Sequence, residues 1–379
     1  MKAIIHANII KENNVLVNHG ILYDTVIRSI EPMDRIDTSG CSEVIDAKGR
    51  YVSPGFINLH IHGCASYDTM DASDEALIGM SKELARHGVT RFLPTTVSMP
   101  KENITRALNC TRRNMGKGTG AIIHGAYLEG PFFSPHYCGP TNLEYILPPD
   151  FALIEPYLDV IKIVTVAPET DEQSFIKKVV QHGIVAALGH SGATFERTKE
   201  AIHDGASLIT HCFNVMAPLH HREPGILGAA LMEDIAVELI PDTINVSPQM
   251  YRFLLKNKGV DQIILITDSI RPTGLDRDGV YEFAGSEVIV KDGISKGPNG
   301  RLTGTLLKLN DGVSNFQRHT GLEIWEAVKT VSINPARVLG ISGSTGSIEV
   351  GKSADLAIID DRFTVYSTIV EGNEVYRRN

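Results

Sequence analysis

Five segments of this chain place imidazole or carboxylate at the end of a short apolar run: His60-Ile61-His62, Glu129, His190, His211 and Asp268. Imidazole nitrogen mixed with carboxylate oxygen suits a divalent cation such as Zn²⁺ or Fe²⁺. A cation held there acidifies water towards neutral pH, and a nearby carboxylate such as Asp268 can accept the proton. On a strand, His60 and His62 share a face because side chains alternate. Each segment also has an ordinary explanation. His190 and His211 could be hydrogen-bonded core histidines, Glu129 a salt-bridge partner, Asp268 a helix N-cap, and the His60–His62 pair two polar residues ending a strand. Coincidence decides between the readings. Five candidate strands each end in a titratable or ligand-capable residue, always at the C-terminal end. The remaining histidines show no such regularity, although His220 and His221 lie in a loop near the same rim. Cys64 and Cys212 adjoin candidate ligands but in the opposite strand phase, which points to packing.

The runs that carry these residues read as strands: Phe56–His62, Arg91–Thr96, Ile122–Glu129, Val160–Ala167, Ile184–His190, Leu208–His211, Val237–Ile240 and Ile263–Asp268. Their near-continuous apolar character fits strands buried on both faces. Helices with readable ends lie between them. Ser73 caps one closed by Gly88, Thr170 one closed by Gly183, Thr194 one closed by Gly205, and Ser247-Pro248 opens one ending near Gly259. About eight βα units give an α/β fold, a (β/α)8 TIM-type barrel, whose strand ends meet at one rim.

The flanks change character. Residues 1–52 and 344–379 read as strand and turn and would form one small β-sandwich domain, leaving 53–343 for the barrel. A hairpin over Tyr281–Leu302 and closing helices over Leu306–Arg318 and Glu323–Val331 complete the barrel segment, the last halted before Asn334-Pro335.

The net charge of −9 argues against nucleic acid and anionic membrane as partners, so an anionic substrate would need a local cation. Five cysteines without close pairing suggest no disulfide framework and a reducing, cytoplasmic setting. No segment reads as a secretion signal or a bilayer span.

Several motifs together resemble the N-acetylglucosamine-6-phosphate deacetylases of the amidohydrolase superfamily. They are the segment Pro54 to Gly63, Leu128-Glu129-Gly130-Pro131-Phe132, Gly189-His190-Ser191, Thr210-His211-Cys212-Phe213-Asn214-Val215-Met216, Arg222-Glu223-Pro224-Gly225, Thr267-Asp268 and Gly346 to Lys352. The resemblance covers nearly the whole chain. It implies a barrel with a terminal β-sandwich, a homodimer, and one or two divalent ions. By matching motifs, Glu129, His190 and His211 would hold the main ion, and His60 and His62 a second one with Glu129 shared. Asp268 would be general base and then general acid. Pro140, Thr141, Asn214, Val215, Asn245, Leu302, Thr303 and Gly304 would contact a sugar phosphate, with Arg222 on its phosphate.

The activity so implied is hydrolysis of the acetamide of N-acetylglucosamine 6-phosphate to glucosamine 6-phosphate and acetate. The galactosamine epimer, or a weakened scaffold that only binds the sugar phosphate, are the alternatives. Two residues depart from the family pattern. Asn245 stands where the family has a carbonyl-polarising His, and Thr141 where it has His or Gln. Asn can donate a neutral hydrogen bond but cannot become cationic. Where relatives of the hydantoin and orotate type carboxylate a lysine, the fourth strand here ends Ala167-Pro168-Glu169.

Overall fold

Apolar runs with both faces buried do become parallel strands. A computed structural model describes every residue except Gly118 and Asn379. Its strands β1 (Phe56–Ile61), β2 (Val89–Pro94), β3 (Ala126–Leu128), β4 (Ile161–Val166), β5 (Val185–Leu188), β6 (Leu208–Ile209), β7 (Ala236–Leu239) and β8 (Ile263–Leu265) follow the eight expected segments. The expected third strand is divided. Ile122–Ile123 pairs with β2, whereas β3 pairs with β4, and Gly125 at φ 149° turns the chain between them. Pairing is parallel throughout, from β1 with β2 to β7 with β8. A parallel bridge, Thr95 to Tyr127, links the two hydrogen-bonded groups of strands. At the far edge Ile61 bridges Ser269 in parallel, and the Asp268 N–H donates to His60 O at 3.0 Å. The result is a curled parallel sheet with one apolar cluster towards the helices (Phe92, Val164, Leu188, Val237) and another within the curl (Leu59, Leu93, Ile163, Ile264).

Helix α1 (Asp74–Ala85) and helix α4 (Phe195–His203) start as expected, with Ser73 and Thr194 oxygens accepting from backbone N–H groups. Thr170 is not a cap. It ends a 3₁₀ turn, and the Asp171 carboxylate instead accepts from Phe175 and Ile176 N–H at the head of α3 (Phe175–Gln181). Two further helices, α2 (Lys101–Asn114) and α5 (Gly225–Met232), follow Pro100 and Pro224 with no side-chain cap. Helix α6 (Pro248–Lys258) follows Ser247. Helices α7 (Leu309–Thr320) and α8 (Ile324–Lys329) stand near the expected closing positions. The expected hairpin is three antiparallel strands, Gly279–Phe283, Ser286–Lys291 and Ile294–Lys296.

Both ends of the chain contribute to a separate eight-stranded sheet, in which Tyr51–Pro54 lies between Lys2–Ile10 and Leu356–Ile359. It has its own apolar cluster, including Ile4, Ile21, Tyr23, Leu356 and Ile369. The chain passes from that sheet into β1 through Gly55, where a Cβ would stand 2.3 Å from Thr90 Oγ1. That close approach leaves room for glycine alone.

Candidate metal centre

Parallel strands deliver their last side chains to one rim, and here those side chains converge. His60 is in β1 and His62 one residue beyond it, Glu129 directly follows β3, His190 and His211 lie two residues past β5 and β6, and Asp268 three past β8. Glu129 is shared. Its Oε1 is 3.2 Å from His190 Nε2 and 2.9 Å from His211 Nε2. Its Oε2 is 3.4 Å from His60 Nε2 and 3.2 Å from His62 Nε2. Asp268 Oδ1 is 3.0 Å from His62 Nε2 and 3.6 Å from His60 Nε2. Ligands around a tetrahedral Zn²⁺ stand about 3.3 Å from one another, so the spacing within each trio suits a common ion.

Proton positions sharpen this fit. Carbonyl and carboxylate oxygens only accept, so a histidine nitrogen facing one must donate. His62 Nδ1–H donates to Thr95 O at 3.3 Å, and His190 Nδ1–H to Tyr137 O at 2.9 Å. His60 Nδ1–H donates to Glu238 Oε2 at 3.1 Å. When these imidazoles are neutral, their Nε2 lone pairs face the Glu129 and Asp268 oxygens. His60 Nε2 is buried without a hydrogen-bond partner, and the His190 and His211 Nε2 atoms lie 3.1 Å apart. Lone pairs converging on carboxylates repel unless a cation stands among them. Titration tells the same story. Burial opposes charge on Glu129, yet His60, His190 and His211 hold its carboxyl well below the usual range. Burial also opposes charge on His62, yet Asp268 and Glu129 raise it to about 9. The carboxylates favour positive charge on His60, His62 and His211, whereas burial holds His190 below its usual range; divalent ions would supply that charge in place of protons.

Strain marks the same residues. His190 (φ 49°), His211 (φ 27°) and Asp268 (φ 48°) are left-handed, as are Phe213 (φ 82°) and Val215 (φ 52°) beside them. Non-glycine residues hold that conformation only where surrounding contacts impose it, at about 1–3 kcal/mol each. Asp268 is held by its N–H to His60 O and by its carbonyl accepting from Thr305 N–H at 2.9 Å.

A cleft of about 180 Å³ opens above the cluster. Every expected site residue lines it except His60 and Arg222. His60 lies fully buried in the cluster below. Arg222 is exposed, with its guanidinium 2.9 Å from His221 Nε2, and among the described residues no Lys or Arg lines the cleft. Asn245 lines it, but its amide donates to Asp242 Oδ2 at 2.6 Å. Two residues not foreseen from sequence are the phenylalanines. Phe133 stacks on His190 at 3.7 Å and 6°, and Phe283 from the inserted strands meets His62 edge-on at 5.2 Å. Glu238 was also missed, although a lone carboxylate in Ala236-Val237-Glu238-Leu239-Ile240 is itself a signal. Cys64 and Cys212 belong to neither trio, and burial pushes the Cys212 thiol up to about 12, against a thiolate ligand.

Residues 51–375 match the model of the family described as the amidohydrolase family. The N-acetylglucosamine-6-phosphate deacetylase of Bacillus subtilis (strain 168) is 37% identical over 96% of this chain and 94% of its own length. The N-acetylgalactosamine-6-phosphate deacetylase of Escherichia coli O157:H7 is 34% identical over 96% of each. The crystal structure of N-acetylglucosamine-6-phosphate deacetylase from Pasteurella multocida superposes with a TM-score of 0.94, at 30% identity and full coverage of both chains.

Proposed function

Since the chain belongs to the amidohydrolase family and is a hydrolase of amide C–N bonds, we propose that it deacetylates N-acetylglucosamine 6-phosphate. The products are glucosamine 6-phosphate and acetate. The observation that carries the chemistry is Glu129, which offers one oxygen to each histidine pair. Glu129 with His190 and His211 would hold one divalent cation, and His60 and His62 a second, Zn²⁺ or Fe²⁺ by donor chemistry. When bound, such ions supply Lewis acidity to the amide carbonyl and acidify water. Asp268 takes the proton of the attacking water on its carboxylate and returns it to the departing nitrogen, so that the amine leaves neutral. Phe133 and Phe283 exclude bulk water above His190 and His62. Asn245 and Thr303 face the substrate from the outer wall, and Arg222 meets the phosphate.

The surrounding architecture follows the same reading. The curled sheet is a closed (β/α)8 barrel, supported by the Ile61–Ser269 bridge, with residues 53–343 as catalytic domain and 1–52 with 344–379 as the small β-sandwich. Among the described residues no helix is long and apolar enough to cross a membrane. We place the enzyme in the cytoplasm as a homodimer, whose mass by light scattering would be twice that of the chain.

Acetate release from N-acetylglucosamine 6-phosphate by metal-loaded protein tests the activity. No turnover at full metal occupancy leaves a sugar-phosphate-binding scaffold instead. The Escherichia coli relative favours a second reading, with the galactosamine epimer as substrate. Comparing kcat/KM for the two 6-phosphates separates them, and equal or reversed preference rules out the glucosamine assignment.

A further inference from the structure

The fully buried carboxylate of Glu238 in β7 has no Lys or Arg partner among the described residues. We propose that Glu238 is a positioning residue of the metal centre. Through one oxygen it fixes the ring of His60 and the backbone of His211, one ligand from each half. Its charge lets the His60–His62 half retain a second cation. This rests on the metal reading above and assigns a role to a residue outside both ligand trios.

The β6–β7 ladder consists only of Leu208 with Ala236 and Ile209 with Val237. Beyond it the chain turns left-handed at His211 and leaves the ladder. There the Glu238 side chain takes over. His211 N–H donates to its Oε2 at 3.1 Å, and Cys212 N–H donates to the Glu238 carbonyl at 2.9 Å. From the other side, His60 Nδ1–H donates to the same Oε2 at 3.1 Å. A carboxylate cannot donate, so His60 carries a proton on Nδ1, and when the ring is neutral its lone pair is on Nε2, the atom that faces Glu129 and Asp268. Tyr127 packs on the His60 ring at 4.8 Å, but its hydroxyl is bonded to Thr165 and Thr210 and does not compete for Glu238. The halves therefore differ in charge. Glu129, Asp268 and Glu238 all touch the His60–His62 half, whereas among the described residues only Glu129 comes within 4 Å of the His190 and His211 side chains, with Asp268 acting on His211 from farther away. A carboxylate behind a metal-bound imidazole orients the ring and strengthens it as a ligand.

The test strips the full-length protein with chelator, reloads it with Zn²⁺, and measures stoichiometry and affinity by metal analysis and competition with a chromophoric chelator. Wild type is expected to hold two ions per chain. Glu238→Gln is expected to keep one and bind the second about 10–100-fold more weakly, with kcat lowered and KM little changed. Adding Glu238→Gln to His60→Asn is expected to cause little further loss of the second ion. A Glu238→Gln protein holding both ions with wild-type affinity overturns the proposal and leaves the metal reading standing. A full additive loss in the double variant does the same. Wild type with a single ion overturns the proposal together with the second ion of that reading, and leaves the first ion standing. Wild type with no ion at all overturns both. One measurement needs no variant. ¹⁵N imidazole spectra of the Zn²⁺-loaded wild type are expected to show His60 protonated at Nδ1, and protonation at Nε2 overturns the assignment.

Discussion

The floor and the outer wall of the cleft are built on different principles. On the floor, six side chains stand in strands or within three residues of a strand end, and backbone ladders dictate where they point. Five of the six are buried, and Asp268 is half-buried, the most open to the cleft. The wall comes from loops: Pro140 and Thr141, Asn214 and Val215, Asn245, and Leu302 to Gly304 after the inserted strands. Its geometry depends on local tethers such as Asn245 to Asp242 and on contacts that substrate would complete. Rigid elements place groups more accurately than loops do. The floor should therefore set the reaction type and the wall the choice and affinity of substrate.

The largest expected effect tests the floor as a unit. Chelator treatment should lower turnover by about 10³ or more, since metal chemistry is worth several kcal/mol. Added Zn²⁺ or Fe²⁺ should restore it. Glu129→Ala should prevent that restoration, because it removes the group common to both trios. Retained activity in the chelated protein would break the division between floor and wall at its root. Next comes Asp268→Asn, which keeps shape but not basicity. Turnover should fall about 10²–10⁴-fold with ion content unchanged by metal analysis. A parallel loss of ions would make Asp268 a ligand first and a proton carrier second.

The same division explains what could be read from the sequence. Strand ends were legible because apolar runs have sharp ends and the polar residue at each end stands out. The pairing of His60 with His62 followed from strand alternation alone. Helices α1 and α4 announced themselves through Ser73 and Thr194. Helices α2 and α5 did not, because each begins after a proline with no capping side chain. Thr170 misled for a related reason: the carboxylate of its neighbour Asp171 reaches forward to cap α3. Glu238 was hidden because its partners, His60 and His211, are 178 and 27 residues away. Phe133 and Phe283 were hidden because a phenylalanine above a metal site looks in sequence like any core residue. Wall positions came from motif resemblance alone, since no periodicity places a loop side chain.

Arg222 sharpens the comparison from the wall side. It stands outside the cleft beside His221, so its proposed phosphate contact must form when substrate binds. A charged hydrogen bond of this kind contributes about 1.5–3 kcal/mol. Arg222→Ala should therefore raise KM about 10–100-fold and leave kcat nearly unchanged. An unchanged KM would return Arg222 to the solvated surface, and a fall in kcat alone would mean that the wall takes part in the chemistry.

Asn245 gives the smallest expected effect and the finest test. It lines the cleft, at a position where the motif resemblance implies His. Loss of a transition-state donor costs about 10²–10³ in rate, but an amide still donates, so the deficit here is smaller. Its side chain is also held by Asp242 Oδ2, which fixes the amide but uses one of its two N–H bonds. In Asn245→His the imidazole would inherit the carboxylate partner, which favours the cation and strengthens donation towards the substrate carbonyl. Turnover should rise by up to about tenfold, with ion content unaltered. A lower rate would mean that the loop from Asp242 to Asn245 is fitted to the amide and that this wall has diverged as a unit. The residue would then mark a changed substrate rather than a weakened catalyst, and the two epimeric sugar phosphates should respond differently to the substitution.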